Sequence, residues 1–309
     1  MKKNVLRIAT CNFEADGKGV EALWMAMHDR LRALRLDLVL RQEIWLSGNR
    51  GGALHESAKE ALGMNGWPSK GWSTAVYANP ETFVALESWD RLTDTENVAN
   101  RALRLRGAGP KSVPVVTASF HLSYHNTEER LHQAGELLYL ADRKHQLTPD
   151  RSVQLPILAL GGDSNSERMA RPGEATRDLT KILDQAHLAH RTYLGPNGER
   201  LIDDRPDRVL RVVVEDVARH LAERPGSTGE ILPTVYDSET QGPGTQIDRI
   251  YTSRVFLPAL RSLEVVEMQG LTDHKVPVAE FDRDDVEEIL SDYKPQPSDR
   301  ITRSTSIAV

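Results

Sequence analysis

Eight polar residues stand at the ends of apolar runs in this chain, and their types suit hydrolytic chemistry. Asn12 follows Val5–Cys11, and Glu43 comes soon after Leu38–Leu40. His121 follows Val113–Phe120, and Asp163 and Asn165 follow Pro156–Leu160. Asp248 precedes Ile250–Thr252, and Asp273 and His274 precede Val276–Phe281. Together they supply four carboxylates, two amides and two histidines. Carboxylate and amide oxygens suit hard cations such as Mg²⁺ or Ca²⁺. Histidine beside a carboxylate can act as a general base or as a charged phosphate holder. With no Cys cluster, no HExxH and no nucleotide-cradling loop, the set points to metal-assisted phosphoester hydrolysis.

Taken singly, each piece is ambiguous. A lone Gly-Gly-Asp-Ser-Asn is usually a turn, because Asp and Asn bond their own backbone. Asp273-His274 alone reads as a loop cap, and His121 alone as a core histidine. His187 and His190 (HLAH) read as surface residues of a helix. Gly48–Gly52 (GNRGG) lacks the Lys-Ser/Thr of a phosphate loop and reads as a flexible loop.

The elements that must hold these residues are mostly strands. Val5–Cys11, Leu38–Leu40, Ser73–Ala78, Phe83–Ser88, Val113–Phe120 and Pro156–Leu160 read as strands, the last stopped by Gly161-Gly162. Gln246–Thr252, Leu263–Met268 and Val276–Phe281 complete the set. Helices are expected over Val20–Leu36, Glu128–Gln146 and Asp207–Glu223. Strands outnumber helices along the whole length, which favours an α/β sandwich over a Rossmann array.

With 309 residues, 39% of them hydrophobic, the chain can bury a sizeable core. The single cysteine, Cys11, rules out an internal disulfide framework. No apolar run approaches the roughly 18 residues of a membrane span. A cytoplasmic protein, monomeric and without a membrane partner, is expected. The net charge of −6 leaves no global basic footprint for nucleic acid. Beyond the last expected strand come an acidic stretch, Asp282–Asp292, and a Pro/Ser tail, Lys294–Val309, which has little to bury and reads as loose. The expected boundary therefore separates a domain over 1–282 from a tail over 283–309.

Order and spacing decide between these readings. The chain resembles the endonuclease/exonuclease/phosphatase superfamily, with its deoxyribonuclease-I-like fold, from about Leu6 to Phe281. The matching pieces are ATCNFE (Ala9–Glu14), LVLRQEIW (Leu38–Trp45), VVTASFHLS (Val115–Ser123), LALGGDSNS (Leu158–Ser166), QIDRIYTS (Gln246–Ser253) and LTDHKVPVAEF (Leu271–Phe281). Each is weak alone; all six stand in the family's order. The resemblance implies a two-sheet α/β sandwich with flanking helices and the site on one rim. It implies that Asn12, Glu43 and Asp273 serve a Mg²⁺ (or Mn²⁺) site. It implies that His121 contacts the scissile phosphate, that Asp163 and Asn165 are catalytic, and that Asp248 orients His274. Either Asp163 or His274 would be the base, and one or two metals would fit. Thr272 replaces the commoner Ser before Asp-His, and Arg249 replaces a frequent aromatic. No piece matches the extra aromatic pocket of the abasic-site endonucleases.

The substrate divides the expectations. Arg101, Arg104, Arg106 and Lys111 form an acid-free basic stretch over Val98–Lys111. Arg104 and Arg106 alternate with Leu103 and Leu105, so on a strand they would face away from the core and could hold flanking phosphates. That favours a nuclease with nucleic acid as substrate. A phosphatase or phosphodiesterase for a small or lipid phosphoester is the alternative.

Overall fold

A computed structural model describes residues 4–89, 97–143, 145–146, 153–154 and 156–293. Two six-stranded mixed sheets face each other. The strands are β1 (Val5–Asn12), β2 (Leu38–Gln42), β3 (Asn65–Pro68), β4 (Thr74–Ala78), β5 (Phe83–Ala85), β6 (Val98–Leu105), β7 (Val115–His121), β8 (Ile157–Asp163), β9 (Val214–Asp216), β10 (Asp248–Ser253), β11 (Leu260–Val266) and β12 (Val276–Asp282). The first sheet runs β11-β12-β1-β2-β4-β3, the second β9-β10-β8-β7-β6-β5. The helices are α1 (Glu21–Ala33), α2 (Asn49–Leu62), α3 (Thr127–Leu137), α4 (Gln185–Arg191), α5 (Arg205–Leu210), α6 (Val217–Ala222) and α7 (Arg283–Asp292). No helix among the described residues is long and apolar enough to cross a membrane.

The central strands are apolar on both faces because three layers of core need them. Ile8, Leu40, Leu103, Ala159 and Ile250 lie in the cluster between the sheets. Their neighbours Ala9 and Val39 pack outward with Met27 and Leu31 of α1. Leu158, Leu160 and Tyr251 pack outward with Ala134 and Leu137 of α3. Successive strand residues point to opposite faces, so continuous apolar runs are what a sandwich covered on both sides requires.

Several expectations change. Gly161-Gly162 does not stop its strand, which runs on to Asp163. A Cβ on Gly161 would come within 2.7 Å of Leu40 Cδ1, and one on Gly162 within 1.9 Å of the Phe120 carbonyl oxygen. The glycines therefore permit close approach of the two sheets and of the neighbouring strand. The single helix expected over Asp207–Glu223 is two short helices, α5 and α6, with β9 between them. Pairing of β9 with β10 wins over helical periodicity there, and the Asp216 side chain caps the next helix through Ala218 N–H. Residues 48–52 form an ordered turn against Trp72: a Cβ on Gly48 would lie 2.6 Å from its ring. Finally, the boundary at 282/283 falls too early. Asp282 caps α7, Val286 and Leu290 are fully buried in the inter-sheet core, and Val113 N–H donates to Leu290 O at 2.9 Å. The acidic stretch is thus an amphipathic helix whose apolar positions recur at helical spacing. The rest of the expected tail, residues 294–309, lies outside the described residues.

Candidate active site

Strand direction gathers the eight residues. β1 and β2 are parallel and end together at Asn12 and Gln42. β7 and β8 are parallel and end together at His121 and Asp163. β10 starts there, with Asp248 opposite Asp163. β12 runs antiparallel to β1, so the loop before it brings Asp273 and His274 to the same rim. The rim opens into a cleft of about 570 Å³.

Asp163 sits at its centre. Asn12 Nδ2 donates to Asp163 Oδ2 and to Glu43 Oε1, each at 3.1 Å. His121 Nε2 lies 3.7 Å from Asp163 Oδ2 and 3.8 Å from Glu43 Oε1. His274 Nε2 lies 3.9 Å from Asp163 Oδ2 and 3.9 Å from Asp273 Oδ1. The backbone supports the acids: Ala15 N–H donates to Glu43 Oε2 at 2.8 Å, and Asn165 N–H to Asp163 Oδ1 at 2.7 Å. Glu43 and Asn165 both have positive φ, 57° and 49°. Strained backbone of this kind persists only where the surroundings over-determine it, and it clusters at functional sites. Asn165 Nδ2 is partly committed, donating to Leu122 O at 3.1 Å.

His274 and Asp248 form a buried pair. His274 Nδ1 donates to Asp248 Oδ2 at 2.8 Å, leaving Nε2 toward the cleft. Burial alone would lower the imidazole. The charge and hydrogen bond of Asp248, then Asp163 and Asp273, reverse this and push His274 up to about 10. Burial presses the Asp248 carboxyl upward against the pull of the imidazolium. Burial also presses Asp163 upward, but His274, His121, Arg191 and the Asn165 N–H hold it below the usual carboxylate range. At neutral pH the pair's proton therefore stays on His274, and Asp163 is ionised.

Two groupings compete as a metal site. Asp163, Asp248 and His274 offer ligand atoms within 4.8 Å of one another. Yet Asp248 and His274 Nδ1 are occupied with each other, and a protonated imidazole is no ligand. The oxygens around Asn12 fit a hard cation better. Glu43 and Asp163 meet there, and the buried Asn12 Oδ1 has no hydrogen-bond partner. Asp273 is mostly exposed on the rim beside them.

The opposite wall holds residues that pattern reading dismisses or passes over. His187 is buried and lines the cleft rather than standing on the surface. Arg191 lies one turn further along α4, and its guanidinium is 5.7 Å from the centre of the Tyr124 ring. Spacing of i, i+4 puts His187 and Arg191 on one helix face, a signal available in HLAHR. Trp45 and Tyr124 flank the cleft with large exposed rings, Trp45 lying 5.8 Å from His121. Arg249, where an aromatic was expected, is fully buried and donates to Ser164 Oγ, Ser166 O and Gln246 O. It shapes the loop that carries Asn165.

Arg104 and Arg106 do not reach the site. β6 runs antiparallel to β7, with Val98 beside Phe120 at the rim and Arg104 beside Val84 at the far end. Six strand residues separate them from the rim, about 20 Å. Arg104 is half-buried, and Arg106 donates to Pro80 O at 2.7 Å. Alternation correctly turns their side chains away from the core but says nothing about which end of the sheet they occupy.

No protein-family model and no curated protein matches the chain. Solved structures do. An AP endonuclease from Archaeoglobus fulgidus aligns with TM-score 0.60 at 16% identity, over 90% of this chain and 99% of that one. TDP2 of D. rerio, complexed with single strand DNA product, aligns with TM-score 0.55 at 17% identity, over 90% and 99%. ANGEL2, a 2′,3′-cyclic phosphatase, aligns with TM-score 0.54 at 14% identity, over 90% and 95%. The chain thus has the deoxyribonuclease-I-like fold shared by endonuclease/exonuclease/phosphatase-type proteins.

Proposed function

We propose that the chain is a divalent-metal-dependent phosphoester hydrolase that cleaves nucleic-acid phosphodiester bonds by in-line attack of water. One observation carries this reading: a buried Asp248–His274 pair and an Asn12–Glu43–Asp163 oxygen cluster converge on one open cleft. Mg²⁺ or Mn²⁺, held by Glu43, Asp163, Asn12 and Asp273, would neutralise phosphate charge and polarise its oxygens. Asp163, ionised and central, accepts the proton of the attacking water. Asp248 fixes the His274 ring, so that protonated Nε2 donates to a phosphoryl oxygen as charge develops. His121, between Glu43 and Asp163, contacts the scissile phosphate. A fixed donor of this kind is typically worth about 10²–10³ in rate. The exposed rings of Trp45 and Tyr124 favour nucleic acid, because aromatic faces stack bases of any sequence.

The test is incubation with plasmid, single-stranded DNA, RNA and a panel of phosphomonoesters, with Mg²⁺ or Mn²⁺ and with EDTA. Cleavage of a nucleic acid is expected, abolished by EDTA and restored by either ion. Full activity after exhaustive chelation would remove the metal from the mechanism. Hydrolysis confined to the monoesters would replace the nuclease reading with a phosphatase one.

A further inference from the structure

Arg191 is a buried cation with donors left over. Its side chain lines the cleft that Glu43 also lines, yet only 6% of the residue is exposed. Nε and Nη1 are both buried without a hydrogen-bond partner. Buried donors of a charged group are rarely left unpaired, and here they belong to a side chain that lines an open cleft where a ligand can reach it. The acids nearby are engaged elsewhere. Glu167 takes Arg177 at 2.8 Å and Thr245 Oγ1 at 2.6 Å. Asp163 is held by Asn12 and the Asn165 N–H.

The surrounding chain fixes Arg191 in place. Arg130 of α3, fully buried, donates to the carbonyls of Asn165 and His190. That single side chain ties the catalytic loop to the end of α4, so Arg191 and Asp163 are set relative to each other. Asp203 N–H donates to the Arg191 carbonyl at 3.0 Å and closes the far side. The Tyr124 ring lies against the guanidinium. His187, whose Nδ1 lies 3.5 Å from the Tyr124 hydroxyl, adds a second polar ring to this wall. Burial, then the charges of Arg191 and Arg177, hold His187 down at about 4, so it is neutral at pH 7 and adds no second cation.

We infer that Arg191, backed by Tyr124 and His187, forms a second anion subsite that binds a phosphate one unit away from the scissile phosphate. The planar guanidinium fork matches phosphate oxygens in pairs. This deepens the hydrolase reading and rests on it: the preferred substrate carries at least two phosphates. The second phosphate is either a terminal monoester or the next internal diester.

Four thymidine oligonucleotides test this: TpT with one phosphate, pTpT and TpTp with an added terminal monoester, and TpTpT with an added diester. With Mg²⁺, at least one two-phosphate substrate should exceed TpT in kcat/KM by about tenfold or more, the worth of one charged pair. Arg191→Met should reduce that ratio to within about twofold of unity. The best of the three names the source of the phosphate and the side it occupies. No preference in the wild type, or a preference that survives in Arg191→Met, would overturn the subsite. A binding arm needs neither the variant nor turnover. In EDTA, calorimetry should show wild-type protein binding at least one of the three two-phosphate oligonucleotides at least about fivefold tighter than TpT. Equal affinities would overturn the subsite. If none of the four is cleaved, the site does not act on short thymidine diesters, while the binding arm still judges the subsite.

Discussion

Strand β10 builds two polar clusters from neighbouring residues, one on each face. Asp248 points to the rim and pairs with His274, leaving Nε2 free toward the cleft. Arg249 points the other way, under α5. Its Nη atoms donate to Ser164, Ser166 and Gln246. Beside it Tyr251 donates to Asp207 Oδ1, and Asp207 Oδ2 accepts Met169 N–H, each at 2.7 Å. Both clusters are buried, charged and built on the same rigid strand. Charge density and burial therefore do not distinguish a site from a structural knot. What differs is where the donors and acceptors point: into an open cleft in one case, and at one another in the other.

Substitution should separate the two faces. The largest effect is expected at Arg249. Arg249→Met leaves Asp207 and Asp216 buried without their cation, and breaking a buried charged network typically costs about 3–5 kcal/mol. Urea denaturation should show that loss. A variant within about 1 kcal/mol of wild type would mean that Arg249 holds nothing together. Next comes His274→Asn, whose amide can still donate to Asp248. It should lower kcat by at least about 10²-fold, equivalent to about 3 kcal/mol, with the melting temperature moving only a few degrees. Asp248→Asn should also be damaging. The double variant should lose far less than the product of the single losses, because the pair acts as a unit. Losses that multiply would separate the two residues. A His274→Asn enzyme within about threefold of wild type would remove His274 from the chemistry.

The same contrast explains what pattern reading could reach. Asn12, Glu43, His121, Asp163, Asp248 and His274 can be placed on one rim because each abuts an apolar strand: the first four lie at or just past the ends of two parallel pairs, and Asp248 and His274 lie at or just before the starts of their antiparallel neighbours. The sandwich itself is legible from strands apolar on both faces. Of the second wall only a helix face is legible, His187 and Arg191 at i, i+4; that this face lines the cleft depends on packing against Arg130, over fifty residues away. Arg104 and Arg106 mislead for a related reason: alternation gives a face, whereas distance from the rim depends on strand register. Arg249 breaks a familiar pattern, and only the structure shows that Ser164 and Asp207 gather around it. The acidic run after Asp282 hides a helix, because Val286 and Leu290 are outnumbered by charges.

The smallest expected effect tests the closed cluster from within. Asp216 caps α6 through Oδ1, accepting Ala218 N–H at 2.9 Å, while Oδ2 is buried without a partner. Burial, then the charge of Asp207, pushes its carboxyl up to about 7 against the pull of Arg249. An acid raised on folding makes the native state bind the extra proton. Its cost to stability is absent below the unfolded value near 4, grows as pH rises from about 4 to about 7, and is constant above that. Asp216→Asn keeps the cap, since asparagine caps helices as well as aspartate does. It removes the ionisation but also loses the attraction of Arg249. A net gain on the order of 1–2 kcal/mol at pH 8 is expected, shrinking toward zero at pH 4. Titrating groups that do not interact with Asp216 are common to both proteins and cancel in the difference between their denaturation curves. A gain that does not change with pH would show that Asp216 ionises normally. A loss at pH 8 would show that its negative charge is needed by Arg249, and that the closed face of β10 depends on the charge of Asp216 as well as on its hydrogen bonds.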